Sequence, residues 1–207
     1  TTLTPSGTSG SVNITASTSL FAATDVGRWV SFSNGRAKIT GFTSATVVAA
    51  TTQDDFDNTN AVSTWKLGAF SGTTGHPSCV SFFEQRLVFA GTSSEPQTLY
   101  FSKAGDYENM TSGTNADDAM VYTIASNQVN RIRYLKSQRT LIVGTTGGEF
   151  TVSADGTDAA ITPTNIVIKK QSSYGTANVD AIPAGNSVLF LQKAKRKIRE
   201  LSYNFDT

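Results

Sequence analysis

Short runs of β-branched and aromatic residues, each closed by a turn signal, follow one another along the whole 207-residue chain. Strands are expected at 11–16, 29–33, 37–40, 46–51, 80–83, 86–90, 98–102, 120–125, 129–135, 140–144, 149–153, 165–170, 187–192 and 197–203. Between them lie Asn34-Gly35, Ser71-Gly72, Gly147-Gly148, Asp155-Gly156 and Pro183-Ala184-Gly185, sequences that reverse a chain. Only 20–24 and 105–110 read as helical turns. About a quarter of the residues are Ser or Thr, which suits strands and turns better than helices. The expected class is all-β: a sandwich, a barrel or a propeller.

The chain divides unevenly. Residues 1–64 are expected to form a small antiparallel β-barrel, because a sheet of that length removes its open edges best by closing. Residues 65–207 carry a repeat of about fifty residues. Arg86-Leu87-Val88-Phe89-Ala90 leads to Thr98-Leu99-Tyr100-Phe101-Ser102, Thr140-Leu141-Ile142-Val143-Gly144 to Glu149-Phe150-Thr151-Val152-Ser153, and Ser187-Val188-Leu189-Phe190-Leu191 to the strand ending at Tyr203. Each unit has a preceding strand, at 80–83, 129–135 and 179–182. This is the size of one propeller blade, which cannot cover its own apolar faces and must stack on neighbours. The alternative is a β-sandwich with similar hairpins. About three units are fewer than the roughly 4–8 blades of a closed ring. With Thr1 rather than Met at the start, the chain is therefore expected to be a piece of a larger protein.

Composition excludes some chemistry. Lys and Arg number 17 against 16 Asp and Glu, a net charge of +1, so bulk electrostatics do not make this a general nucleic-acid or membrane-surface binder. No apolar run approaches the ~20 residues of a membrane span, and no anchor is expected. The single cysteine, Cys79, cannot form an internal disulfide, and the single histidine, His76, sits between Gly75 and Pro77 with no nucleophile elbow in the chain. Catalytic, cofactor and metal residues are all read as none. The acidic groups Asp54-Asp55-Phe56-Asp57 and Asp117-Asp118 lack EF-hand spacing and read as solvated loops, with a weak Ca²⁺ or Mg²⁺ site as the alternative. Trp29, Tyr100, Tyr107, Tyr122 and Tyr174 read as packing residues, with a sugar platform as the alternative. One charged feature stands out: Lys193, Lys195, Arg196, Lys197 and Arg199, beside the last hairpin, are a candidate interface or phosphate-facing patch. The simpler reading is a hairpin tip whose lysines discourage edge pairing.

Trp65-Lys66-Leu67-Gly68-Ala69-Phe70-Ser71, Gly75-His76-Pro77-Ser78-Cys79-Val80 and Gln85-Arg86-Leu87-Val88-Phe89-Ala90-Gly91-Thr92 occur in that order, then Pro96 to Lys103 and Gly105-Asp106-Tyr107-Glu108-Asn109-Met110. This series resembles the nozzle, or tubular protein B-type, tail proteins of short-tailed bacteriophages. The segment from Asp25-Val26-Gly27-Arg28 to Ala37-Lys38-Ile39-Thr40 is similar to the small barrel inserted in that family. The resemblance implies a structural virion protein, made in the bacterial cytoplasm, that assembles with identical subunits and other tail proteins into a ring through which phage DNA passes. The competing expectation is a carbohydrate-binding or carbohydrate-cleaving β module acting on host-surface glycan.

Overall fold

The computed structural model describes residues 1–125, 129–156 and 159–202. They form an all-β structure in two compact units, Thr1–His76 and Pro77–Thr207. The one helical element among the described residues is a 3-10 turn at Ala23–Asp25, and no helix is long and apolar enough to cross a membrane. The turn expected at 105–110 is not helical. Gly105 is left-handed there, with φ 73°, and Lys103 bridges back to Asp106.

The first unit is one curled antiparallel sheet. Its strands are β1 (Leu3–Pro5), β2 (Ser11–Ala16), β3 (Trp29–Phe32), β4 (Gly35–Ser44), β5 (Val47–Asp54) and β6 (Trp65–Leu67), in the order β1-β2-β5-β4-β3-β6. Alternation along β2 turns Val12, Ile14 and Ala16 inward and Ser11, Asn13 and Thr15 to solvent. Leu3, Ile14, Val30, Ala37 and Val48 fill the inside of the curl, with Phe32 stacked on Phe56 at 4.3 Å. The two edges nearly meet: Leu3 exchanges a pair of 2.9 Å backbone hydrogen bonds with Val62, just ahead of β6. The β3–β4 hairpin turns on Ser33 and Asn34, at φ 47° and 57°, one residue earlier than expected. Gly35 opens the next strand instead. A Cβ there would stand 2.6 Å from the Phe56 ring and 2.7 Å from the Asp55 carbonyl oxygen, so the glycine permits a close approach of chain.

The unit runs past the boundary expected at Trp65. Trp65–Leu67 is its sixth strand, paired with β3, and the Trp65 indole N–H donates to the Thr1 carbonyl at 2.9 Å. The stretch from Gly68 to Thr73 is tied down by a buried ion pair. Asp25 accepts from Arg28 Nη1 at 3.0 Å, the Ala22 N–H at 2.9 Å and the Thr73 hydroxyl at 3.0 Å. Arg28 Nε donates to the Gly68 carbonyl at 2.6 Å. A carboxylate this deeply buried requires such a set of donors, and satisfying it keeps the chain as far as His76 in the first unit.

The second unit is three meanders. β7 (Cys79–Phe83), β8 (Arg86–Ala90), β9 (Thr98–Phe101) and β10 (Met120–Thr123) form a four-stranded sheet. β11 (Ile132–Ser137), β12 (Leu141–Thr145), β13 (Gly148–Ala154) and β14 (Ile166–Ser172) form another. β15 (Ile182–Ala184), β16 (Ser187–Leu191) and β17 (Ile198–Ser202) form a three-stranded third. The three repeat strands thus lie in three separate blade-like sheets. The strand expected at 179–182 begins at Ile182 and includes Pro183, which an edge strand accepts because one side of it needs no donor. Tyr203, the expected end of the last strand, lies outside the described residues.

Aligning Arg86, Thr140 and Ser187 aligns the faces. Val88 and Ala90 pack in one core with Leu135, Leu141, Val143, Phe150 and Val152 of the second sheet. On the second sheet's other face, Tyr134 and Ile142 pack with Val188, Phe190 and, at the margin, Leu201 of the third. All five residues of β12 are therefore buried, which is why its sequence is continuous rather than alternating. Gly144 is glycine because a Cβ there would fall inside the ring of Tyr134, itself 1% exposed.

Among the described residues Arg86 is the largest fully buried side chain and forms no ion pair. Its guanidinium donates to backbone carbonyls: Ser102 at 2.8 Å, Asp118 at 2.7 Å, Asp117 at 3.3 Å and Ala116 at 2.7 Å. These oxygens lie at the two ends of the long link from β9 to β10, so one cation closes that link.

Gly144→Ala is expected to destabilise the second unit by about 1–3 kcal/mol or more through overpacking. Far-UV circular dichroism during urea unfolding reports it, while the fluorescence of Trp29 and Trp65, both in the first unit, stays at the wild-type midpoint. Arg86→Met is expected to speed amide exchange across residues 103–119 by about 10-fold or more, since each carbonyl left unpaired costs roughly 1–3 kcal/mol. Unchanged protection would show that the link does not depend on the guanidinium.

Candidate functional site

The β16–β17 hairpin carries the basic residues. Gln192 N–H donates to the Lys197 carbonyl at 2.9 Å and Lys195 N–H to the Gln192 carbonyl at 2.7 Å, with Lys195 left-handed at φ 57°. Lys193, Lys195, Arg196 and Lys197 are exposed. Arg199 is different: its guanidinium lies 3.9 Å from the Tyr174 ring centroid and donates to Gln192 Oε1 at 3.2 Å. It holds the hairpin rather than joining the exposed group. Among the described residues none of the five forms an ion pair, so four cations face solvent together.

Two clefts open between neighbouring sheets of the second unit. One, of about 870 Å³, is lined by Glu84, Arg86, Asp117, Arg139, Asp155 and Lys169. The other, of about 470 Å³, presents Gln138, Arg139, Thr151, Gln171 and Asn186 around Ile142. Amide and hydroxyl groups and one guanidinium over an apolar floor suit a polar ligand.

The other sequence candidates are dispersed. His76 is exposed and Cys79 is buried, and burial pushes the Cys79 thiol above its ordinary range, so it packs as a thiol. Asp54 pairs with Arg36 at 3.0 Å and Asp57 accepts from Asn34 at 2.6 Å, while Phe56 between them is core. Lys103 lies 2.9 Å from Asp117 and holds that carboxyl below its usual range. Among the described residues no three His, Cys, Asp or Glu side chains gather as a metal site. Tyr100 and Tyr122 sit on paired strands but on opposite faces of the first sheet, so they form no common platform.

Two features escaped the sequence reading. The first is a buried polar row across the second sheet, where register sets Tyr134, Gly144, Glu149 and Ser172 side by side. Glu149 is completely buried and accepts from the Ser172 hydroxyl and the Gly175 N–H. Its Oε1 and the Tyr134 hydroxyl have no hydrogen-bond partner among the described residues. Gly144 beside a strand-borne glutamate was the available signal. The second is the pair of end faces of the stack: Val80 and Phe82 are each 59% exposed on the first sheet, and Ile182 and Ile198 are 66% and 73% exposed on the third.

Burial raises the Glu149 carboxyl above its ordinary range, against the opposing donors Ser172 and Gly175 and the nearby Lys170 charge. As pH rises past roughly 4.3, the unfolded chain loses this proton before the folded one does. Stability therefore falls, by at most about 1.4 kcal/mol per pH unit, until the raised folded value is passed. Glu149→Gln is expected to remove that decline and to be the more stable protein near neutrality, in urea titrations followed by circular dichroism from about pH 4 to about pH 8. Equal slopes for both proteins would show Glu149 ionised in its buried place. Compared with protein-family models the chain matches none, and no curated protein matches it either.

Proposed function

We propose that this chain is a structural subunit of a short-tailed bacteriophage tail, at the nozzle or tail-tube tip, and works by assembly with identical subunits and other tail proteins rather than by catalysis. The observation that carries this reading is the apolar exposure at both ends of the blade-like stack, through Val80 and Phe82 on one side and Ile182 and Ile198 on the other. Soluble monomers rarely leave such faces open, and assembly surfaces do. The motif series around Gln85-Arg86-Leu87 supports the tail assignment. The exposed cations Lys193, Lys195, Arg196 and Lys197 are suited to phosphate of DNA in transit or to an acidic neighbour.

One observation favours a second reading. The cleft bearing Gln138, Arg139, Thr151, Gln171 and Asn186 offers amide, hydroxyl and guanidinium groups of the kind that hydrogen-bond saccharide hydroxyls. Electron microscopy of the full chain, run beside a glycan array and a polysaccharide-release assay, separates the two. Ring-shaped particles without selective glycan retention are expected. Single chains that bind one glycan class, or release reducing ends, would overturn the assembly reading and establish the second.

A further inference from the structure

The outer face of the first unit carries a charge pattern that its fold does not require. Residues 1–76 contain four cations, Arg28, Arg36, Lys38 and Lys66. Arg28 is spent on Asp25 and Gly68. The other three stand around one residue. Alternation along β3 turns Val30 and Phe32 into the core and Trp29 and Ser31 outward. Register then sets Lys38 of β4 directly across from Trp29, Arg36 one step diagonal on the same strand, and Lys66 of β6 one step diagonal on the opposite side. Outer positions of a sheet with one wet face accept any polar residue, so packing does not explain this gathering.

The indole itself is presented to solvent, at 36% exposure. Its neighbour on the β6 side is Gly68, where a Cβ would stand 3.4 Å from the Trp29 Cβ, so that neighbour puts no side chain beside the ring. On the β4 side the Arg36 guanidinium lies 5.2 Å from the ring centroid. Arg36 Nε donates to Asp54 Oδ2 at 3.0 Å, which fixes the guanidinium and leaves its two Nη groups to donate outward. Asp54 offsets the charge of Arg36. Lys38 and Lys66 are exposed and form no ion pair among the described residues, so two positive charges beside the indole remain uncompensated.

We infer that this face binds an acidic saccharide, a sugar ring bearing a carboxylate or a phosphate. The weakly positive C–H side of a pyranose ring settles on the negative face of the indole, while the anion meets the Arg36 fork and the lysine charges on either side. Other anions fit less well. Single-stranded nucleic acid is held by successive aromatics, and register leaves Trp29 as the one strand aromatic on this face. Phe32 and Trp65 turn to the core, and Phe42 pairs across to the buried Val48. An acidic peptide docks on a free strand edge or in a groove, whereas β3 and β4 are each paired on both sides. The site uses none of the residues that line the two clefts, and it stands whether or not copies of the chain assemble.

Titration calorimetry of the full chain tests it. The probes are a tetrasaccharide of alternating glucuronate and N-acetylglucosamine, for the carboxylate, and glucose 1-phosphate, for the phosphate. Neutral N-acetylglucosamine tetrasaccharide and hexaglutamate serve as controls. Binding of an acidic sugar is expected, weakened by added salt as a contact between exposed charges must be. The probe that binds identifies the anion. Trp29→Ser, and separately Lys38→Gln with Lys66→Gln, are each expected to lower the affinity on the order of 10-fold or more. Arg36→Lys keeps the charge but removes the fork, and a loss of similar size is expected from it. Circular dichroism checks that each variant folds, and the exposed lysine pair keeps the test decisive should Trp29→Ser unfold. Failure of both acidic sugars to bind, or equal binding by wild type and the lysine variant, would overturn the site. Hexaglutamate bound as tightly as the sugars would replace the saccharide with an acidic peptide. A neutral tetrasaccharide bound as tightly would show that the cations take no part.

Discussion

A sheet that is apolar on both sides has no stable existence in water by itself. The burial of β12 at every residue makes the second sheet such a case, and its neighbours on each side are the consequence. Hydrophobic burial is non-directional, but the period-two alternation of strands gives it direction. Leu141 and Val143 go to one neighbour and Ile142 to the other, so a single strand sets the order of the stack. The first unit solves the same problem by curling, which gives its sheet one inside and one outside and requires no neighbour.

Where polar groups are buried, each structure turns them to anchoring a segment that apolar contact alone would leave loose. In the first unit, Asp25 and Arg28 secure the stretch beyond β6. In the second, Arg86 secures the link from β9 to β10. Glu149 is the exception: its row with Tyr134 and Ser172 lies inside the contact between the second and third sheets and leaves acceptor and hydroxyl capacity unused. That makes it a polar cost within an otherwise apolar interface, sensitive to its proton.

How much of this is legible in the sequence depends on the range of the interaction. The fifty-residue repeat is legible because each blade-like sheet is assembled from chain neighbours, and alignment of Arg86, Thr140 and Ser187 survives into the aligned faces. The boundary at Trp65 is misplaced because the pairing of that stretch with β3 reaches back more than thirty residues, and a three-residue strand has no period of its own. Leu3–Pro5 goes unseen for the same reason. Gly35 looks like a turn residue since Asn-Gly usually is one. Only the approach of Asp55 and Phe56 explains it. The basic group is legible as charge, but the stacking of Arg199 on Tyr174 divides it into four solvent-facing cations and one structural one.

Arg86 grips the chain without reading side chains. Its partners at Ala116, Asp117 and Asp118, like Ser102, are met through main-chain oxygens, which every amino acid supplies. Exchange of the side chains at Ala116 and Ser102 therefore leaves the acceptors that Arg86 uses in place. A cation that grips main-chain oxygens holds a position in the chain, where a salt bridge would hold only the residue that supplies the carboxylate.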